Sequence, residues 1–142
     1  MLAPWVKKYI GIPFLSNGRD KTACDCYGLL YLVYKNEFDT ELPRLLSDYK
    51  NACNVKETKE IFKINKPLIA GEKLDTPEIG DVVLLNYRGL PSHIGIYAGD
   101  GFILHTTEKS GSVLQKLGSP EIRGRVEGYY RVNKNYRKGS SL

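Results

Sequence analysis

The sequence predicts an α+β domain in which a buried central helix packs on an antiparallel β-sheet. Three observations carry that expectation. The segment Asp25–Asn36 is apolar nearly all round, the pattern of a helix enclosed by its own domain. From Gly80 onward, short runs rich in β-branched and aromatic residues alternate with glycine-bearing turns. Helical segments come first and strands after, which is the order of an α+β domain and not of alternating βαβ units. A length of 142 residues allows one domain and is enough to bury a core without staples.

Taken in order, the chain opens with a short helix around Pro4–Tyr9. A loop of turn formers follows, with Gly11, Pro13, Ser16, Asn17, Gly18, Arg19 and Asp20. In the central helix, Leu29, Leu30, Leu32 and Val33 fill one face, and Tyr27, Tyr31 and Tyr34 share another. Asp25, or a neighbour, can cap its start. Leu46–Cys53 and Val55–Phe62 are moderately helical in pattern, the second with Glu57 and Glu60 among lysines, until Pro67 and Gly71 break any continuation. Strands are expected over Asp81–Asn86, Ile94–Ala98, Phe102–Thr106, Ser112–Lys116 and Val126–Val132. Lys134–Leu142 is polar and basic, so the domain is drawn as residues 1–133 with a flexible tail over 134–142.

Composition excludes several function classes. Lys plus Arg number 21 against 16 Asp plus Glu, a net charge of +5 that is spread without a basic block. That pattern reads as a solvated surface, not a nucleic-acid interface. The longest apolar stretch, Leu29–Val33, is far too short for membrane insertion. The first residues, Met1-Leu2-Ala3-Pro4-Trp5-Val6-Lys7-Lys8, lack an apolar signal region, so a cleaved export leader is not expected. Three cysteines are an odd number and too few for a disulfide framework, which favours a reducing compartment or function through a free thiol.

The two histidines, His93 and His105, fall on adjacent strands joined by a glycine turn. Strand side chains alternate faces, so loop parity decides whether the rings meet. With an odd loop such as Ala98-Gly99-Asp100, the two sit directly opposite, with β-carbons within about 5.5 Å. A two-residue loop would pair His105 with Ile94 and split them. The glycines flanking Asp100 favour the odd loop. Cys26 lies in the first turn of the central helix, where free amides and the helix dipole favour a thiolate. Cysteine and histidines together would form a nucleophile (Cys26), a general base and acid (His93) and an orienting residue (His105). Other readings stay open. A buried cysteine is commonly an inert small hydrophobe. Cys24, Cys26, His93 and His105 could also hold zinc, although a one-residue spacer and a helix start suit a tetrahedral site badly. Cys24 is read as filling an apolar slot and Cys53 as filler.

Four blocks of the chain resemble the NlpC/P60 cysteine peptidases. Gly11-Ile12-Pro13-Phe14 with Gly18-Arg19-Asp20, then Asp25-Cys26-Tyr27-Gly28-Leu29-Leu30, is similar to the start of that family, whose hallmark Asp-Cys-Ser-Gly opens a helix. Gly80-Asp81-Val82-Val83-Leu84 resembles the strand before the catalytic histidine. Ser92-His93-Ile94-Gly95-Ile96-Tyr97-Ala98-Gly99 and Phe102-Ile103-Leu104-His105 resemble the segments carrying the histidine and the third polar residue. The resemblance implies a papain-like fold and hydrolysis of peptidoglycan stem peptides, at a D-glutamyl-diaminopimelate or -lysine bond, with no metal or organic cofactor. It implies that Asp25 lines the substrate pocket with Tyr27, Phe14 and Ser92. The opening and Glu41-Leu42-Pro43 are most similar to the bacteriophage tail branch, which implies tail-tip or hub proteins as partners. Location would be the virion, or the host cytoplasm before assembly, with action at the cell wall. Two positions depart from the family. Tyr27 replaces the small Ser, and Phe14 stands where many members have a Tyr that assists the oxyanion. A structural tail component that keeps the fold without activity is the alternative these departures motivate.

Overall fold

The computed structural model describes residues 1–45, 50–54, 56–59 and 70–132. The expected tail, 134–142, and half of the two helices expected between 46 and 62 lie outside the described residues. A 3-10 turn, Val6–Tyr9, stands where the first helix was expected. A two-residue ladder, β1 (Arg19–Asp20) with β2 (Ala23–Cys24), closes the following loop. Helix α1 (Cys26–Glu37) comes next. Then follow β3 (Ala70–Leu74), β4 (Val82–Tyr87), β5 (Leu90–Gly99), β6 (Phe102–Thr107), β7 (Gly111–Lys116), the short helix α2 (Pro120–Arg123) and β8 (Val126–Val132).

The strands from β3 onward form one antiparallel sheet in the order β3-β8-β4-β5-β6-β7. Its two faces follow from the alternation along each strand. Val82, Leu84, Ile94, Ile96 and Leu104 point at α1, which is buried at every residue from Cys26 to Tyr34. Val83, Leu85 and Ile103 point the other way and are covered by Ile122 of α2. The α1 face is the main core, as the all-round apolar pattern of the helix requires.

Both ends of α1 are tied down. Asp25 Oδ1 accepts from the Gly28 N–H at 2.8 Å, the expected cap. At the far end the Tyr34 hydroxyl donates to the Gly80 carbonyl at 2.5 Å, which fixes the helix to the entry of β4. Gly28 has no room for a side chain, because a β-carbon there would collide with the Gly18 carbonyl. The loop before the helix therefore lies directly on its first turn. Among the described residues no helix is long and apolar enough to cross a membrane.

Three elements depart from the expectation. The β1–β2 ladder, β3 and α2 carry no strong apolar alternation and went unseen. The described part of Leu46–Cys53, residues 50–53, is a turn and not a helix. Asn51 Oδ1 accepts from the Cys53 N–H at 2.9 Å and Asn54 Oδ1 accepts from the Glu57 N–H at 3.1 Å. Asparagine side chains at those positions compete with helical pairing and start the helical turn at 56–59 instead.

Candidate active site

Cys26 is the first residue of α1, and a buried charge pair holds it there. Asp25 Oδ1 takes the Gly28 N–H and, at 3.0 Å, Arg19 Nη1. Asp25 Oδ2 takes the Asn17 N–H at 2.7 Å. Arg19 also donates to the Gly18 and Arg44 carbonyls at 2.9 Å each, and its guanidinium lies 5.1 Å from the centre of the Tyr27 ring. The side chains of Arg19 and Asp25 are only 3% and 0% exposed.

This arrangement bears on two expectations. Asp25 is not among the residues that line the cavity beside Cys26: it is fully buried, with both oxygens turned onto backbone amides and Arg19. Tyr27 does not line it either. Successive helical residues are about 100° apart, so placing Cys26 at the cavity swings Tyr27 away. Its hydroxyl donates to the Pro43 carbonyl at 2.5 Å. Phe14 and Ser92 do reach the cavity. Phe14 is carried there by a parallel bridge to Cys24 and offers no donor. The Ser92 hydroxyl donates to the Leu90 carbonyl at 3.1 Å within its own strand.

The histidines come together by a different register from the expected one. Gly99 pairs with Phe102, which leaves Asp100-Gly101 as a two-residue turn. Their φ values of +52° and +79° are those of a type I′ hairpin. That turn alone would pair His105 with Ile96 and send the rings to opposite faces. An irregularity between Tyr97 and Gly99 adds Ala98 to β5 and pairs Tyr97 with Ile103, which restores the parity. His93 and His105 thus share a face, diagonally. Gly95 lies between them, and its missing side chain leaves space: a β-carbon there would sit 3.6 Å from that of His105.

The rings meet at 3.0 Å, His93 Nε2 to His105 Nδ1, at an interplanar angle of 76°. His105 Nε2 lies 2.8 Å from Gln115 Oε1 on β7. Tyr87 stacks on His93 with centroids 4.7 Å apart and planes 12° apart, and the Arg125 guanidinium covers Tyr87 at 5.1 Å. Gln115 and Tyr87 were missed from sequence. Gln115 could have been found by continuing the strand count, since it pairs with Ile103, two residues before His105. Tyr87 gave no signal, because the register of β4 and β5 shifts just before it.

Sulfur and imidazoles line one cavity of about 530 Å³. Backbone N–H groups of Ile94, next to His93, and of Tyr27 reach the Cys26 sulfur. The rim carries Arg88 and Arg125 together with Glu108 and Glu121. Burial pushes the Cys26 thiol up to about 12, helped by the Asp25 carboxylate; the two amides and Arg19 pull the other way without offsetting it. Burial and the neighbouring His105 bring His93 down to about 3. Burial also lowers His105, which Gln115 partly opposes. Desolvation thus opposes the thiolate that the helix start favours, and burial pushes both groups toward their neutral forms. A thiol and an imidazole held neutral can react by general-base attack, with the proton moving as a substrate arrives.

The zinc arrangement is not formed. Cys24 is fully buried in β2, apart from the cavity, and the facing nitrogens of the histidines are turned on each other. Among the described residues no group of three or more His, Cys, Asp or Glu is arranged to hold a metal ion.

Comparison with known proteins agrees with this fold. The chain is 28% identical over 122 residues to murein DD-endopeptidase MepS/murein LD-carboxypeptidase of Escherichia coli K12, covering 86% of this chain and 56% of that one. It is 26% identical over 108 residues to the γ-D-glutamyl-L-lysine dipeptidyl-peptidase of Bacillus subtilis, covering 74% and 31%. The chain thus spans about half, or less, of the length of these curated relatives. In structure it is similar to an NlpC/P60 family protein from Bacillus cereus (TM-score 0.63, 19% identity, 89% of this chain and 37% of that one). It is also similar to the NlpC/P60 domain of the peptidoglycan hydrolase SagA (TM-score 0.60, 17% identity, 88% and 91%). Residues 11–131, spanning the sulfur, both histidines and Gln115, match the sequence model of the NlpC/P60 family, and the chain belongs to that family.

Proposed function

We propose that the chain is a cysteine endopeptidase that hydrolyses peptide bonds in peptidoglycan stem peptides, at a D-glutamyl-diaminopimelate or -lysine bond. The observation that carries this reading is the shared cavity, with a sulfur at a capped helix start and a clamped imidazole pair. Cys26 Sγ attacks the scissile carbonyl as His93 takes its proton. The helix start leaves the Cys26 N–H without an intrahelical acceptor, so that N–H is available to the developing oxyanion. His93 then protonates the leaving amine, the C–N bond breaks and a thioester remains. Water, deprotonated by His93, clears it to the carboxylic acid. The mixed rim of arginines and glutamates suits a peptide that carries both carboxylates and an amine. We place the enzyme in a phage tail tip, opening the wall locally during genome delivery. That placement rests on the likeness of the Gly11–Asp20 opening and of Glu41-Leu42-Pro43 to the phage branch.

Digestion of purified lysine-type and diaminopimelate-type peptidoglycan, with products read by mass spectrometry, tests the reaction. Cleavage by the wild type and none by Cys26→Ala is expected. An intact wall with both proteins would favour the inactive structural reading, for which Phe14, with no donor to offer at the cavity, is the one remaining observation. Detection of the chain in purified tails tests the placement, and its absence from them would refute it.

A further inference from the structure

The hydrogen bonds behind the histidines favour one arrangement of protons. Ser119 Oγ lies 2.8 Å from the Lys116 carbonyl, which only accepts, so the single hydroxyl proton of Ser119 is directed there. The side-chain amide of Gln115 lies 3.3 Å from that same oxygen. An oxygen with no further proton to give must face an NH₂ group. Gln115 therefore turns its Nε2 to Ser119 and its Oε1 to His105. Oε1 only accepts, so His105 Nε2, 2.8 Å away, carries the proton. A neutral imidazole carries one N–H, which leaves His105 Nδ1 bare. That bare nitrogen is 3.0 Å from His93 Nε2, so His93 too is protonated on Nε2. His93 Nδ1 is left with a free lone pair.

We propose that Gln115, braced by Ser119, is a positioning residue that sets the tautomers of both histidines and so leaves Nδ1 of His93 as the base for Cys26. The inference rests on the reading that Cys26 and His93 act together. Reversing the amide of Gln115 would reverse every bond in the run. His93 Nδ1 would then hold a proton and could not accept one from a thiol. The choice of an amide also matters. A carboxylate at this position would impose the same tautomers but would favour imidazolium at rest. Gln115 supplies direction without charge, which keeps both rings neutral. Ser119 does its part from the N-cap of α2, a position fixed by the turn after β7.

The chain has only two histidines, so ring nitrogen signals are simple to assign. Long-range proton–nitrogen correlation spectra of the labelled protein at neutral pH should show both rings as Nε2–H. A spectrum with either ring as Nδ1–H would overturn the proposal. Gln115→Leu removes the acceptor. It should populate Nδ1–H forms and lower kcat by about tenfold to a hundredfold, part of what positioned acid–base catalysis contributes, with KM unchanged. Gln115→Glu, which can only accept, should keep the tautomers, recover most of kcat and move the acid limb of the pH profile upward. Unchanged tautomers and unchanged kcat in Gln115→Leu would refute the role. Should that variant not fold, Ser119→Ala frees the amide to turn and is expected to mix the tautomers; a pure Nε2–H spectrum there would refute the bracing. The spectra need no substrate. The expected tautomers in a protein that cleaves no peptidoglycan would sink the proposed function and leave the relay standing; the reverse result would do the opposite.

Discussion

Cys26 and His93 line one cavity, yet the groups behind them differ in kind. Behind the sulfur stands a full charge pair, Arg19 and Asp25, buried and bonded to backbone amides and carbonyls on both sides. Behind the imidazole stands a neutral run through His105 and Gln115 to Ser119. The charge pair anchors a helix start, where an ionised carboxylate is met by N–H donors and a guanidinium. The neutral run orients a base, where a nearby anion would favour the protonated ring. Burial is common to both regions, and the difference lies in whether the held group must stay fixed or must exchange a proton.

The largest effect expected is at the charged side. Asp25→Ala uncaps α1 and leaves Arg19 buried without its carboxylate, a loss of about 3–5 kcal/mol. Urea denaturation should show it, and the double variant Asp25→Ala/Arg19→Leu should recover part of the loss. Equal stability of the single variant and the wild type would erase the contrast between the two regions.

The neutral side should appear as acid sensitivity. Both histidines have folded values below the usual 6.5, so below that pH the unfolded chain binds more protons than the folded one. Their contribution to stability is intact above about 6.5 and falls as pH drops toward the folded value of about 3 for His93. The slope is about 1.4 kcal/mol per pH unit for each proton taken up only by the unfolded chain. Thermal unfolding of His93→Gln between pH 6.5 and 4 should be flatter than that of wild type, and parallel curves would contradict a neutral buried ring. A smaller change is expected at Phe14, which lines the cavity and offers no donor. Phe14→Tyr adds one donor and should raise kcat about tenfold, less than the roughly 100-fold or more lost when an established oxyanion donor is removed. An unchanged kcat would mean that the hydroxyl does not reach the oxyanion.

How much of this was legible in the sequence depended on distance along the chain. The α1 pattern and its Asp25 cap are local signals, and both appear as read. The meeting of the histidines was read from strand parity, but by way of a three-residue loop. The real device is a type I′ turn corrected by the extra residue Ala98, and a bulge leaves no mark in an apolar pattern. β3 escaped because Ala70–Leu74 takes its stability from pairing with β8, a partner more than fifty residues away. Asp25 shows the limit most clearly. The family resemblance implied substrate contact for it, and only the position of Arg19 in the fold shows that its carboxylate is turned inward. Tyr27 was within reach, since a rotation of about 100° per helical residue already separates it from Cys26.

The central claim is that catalysis runs through the sulfur of Cys26. Progressive treatment with iodoacetamide, following both muropeptide cleavage and the alkylation of Cys24, Cys26 and Cys53 by mass spectrometry, tests it most directly. Activity should disappear in step with modification of Cys26, and it should do so equally in Cys53→Ala, which removes the exposed thiol that lines the same cavity. Cleavage that persists with Cys26 fully alkylated would contradict the account.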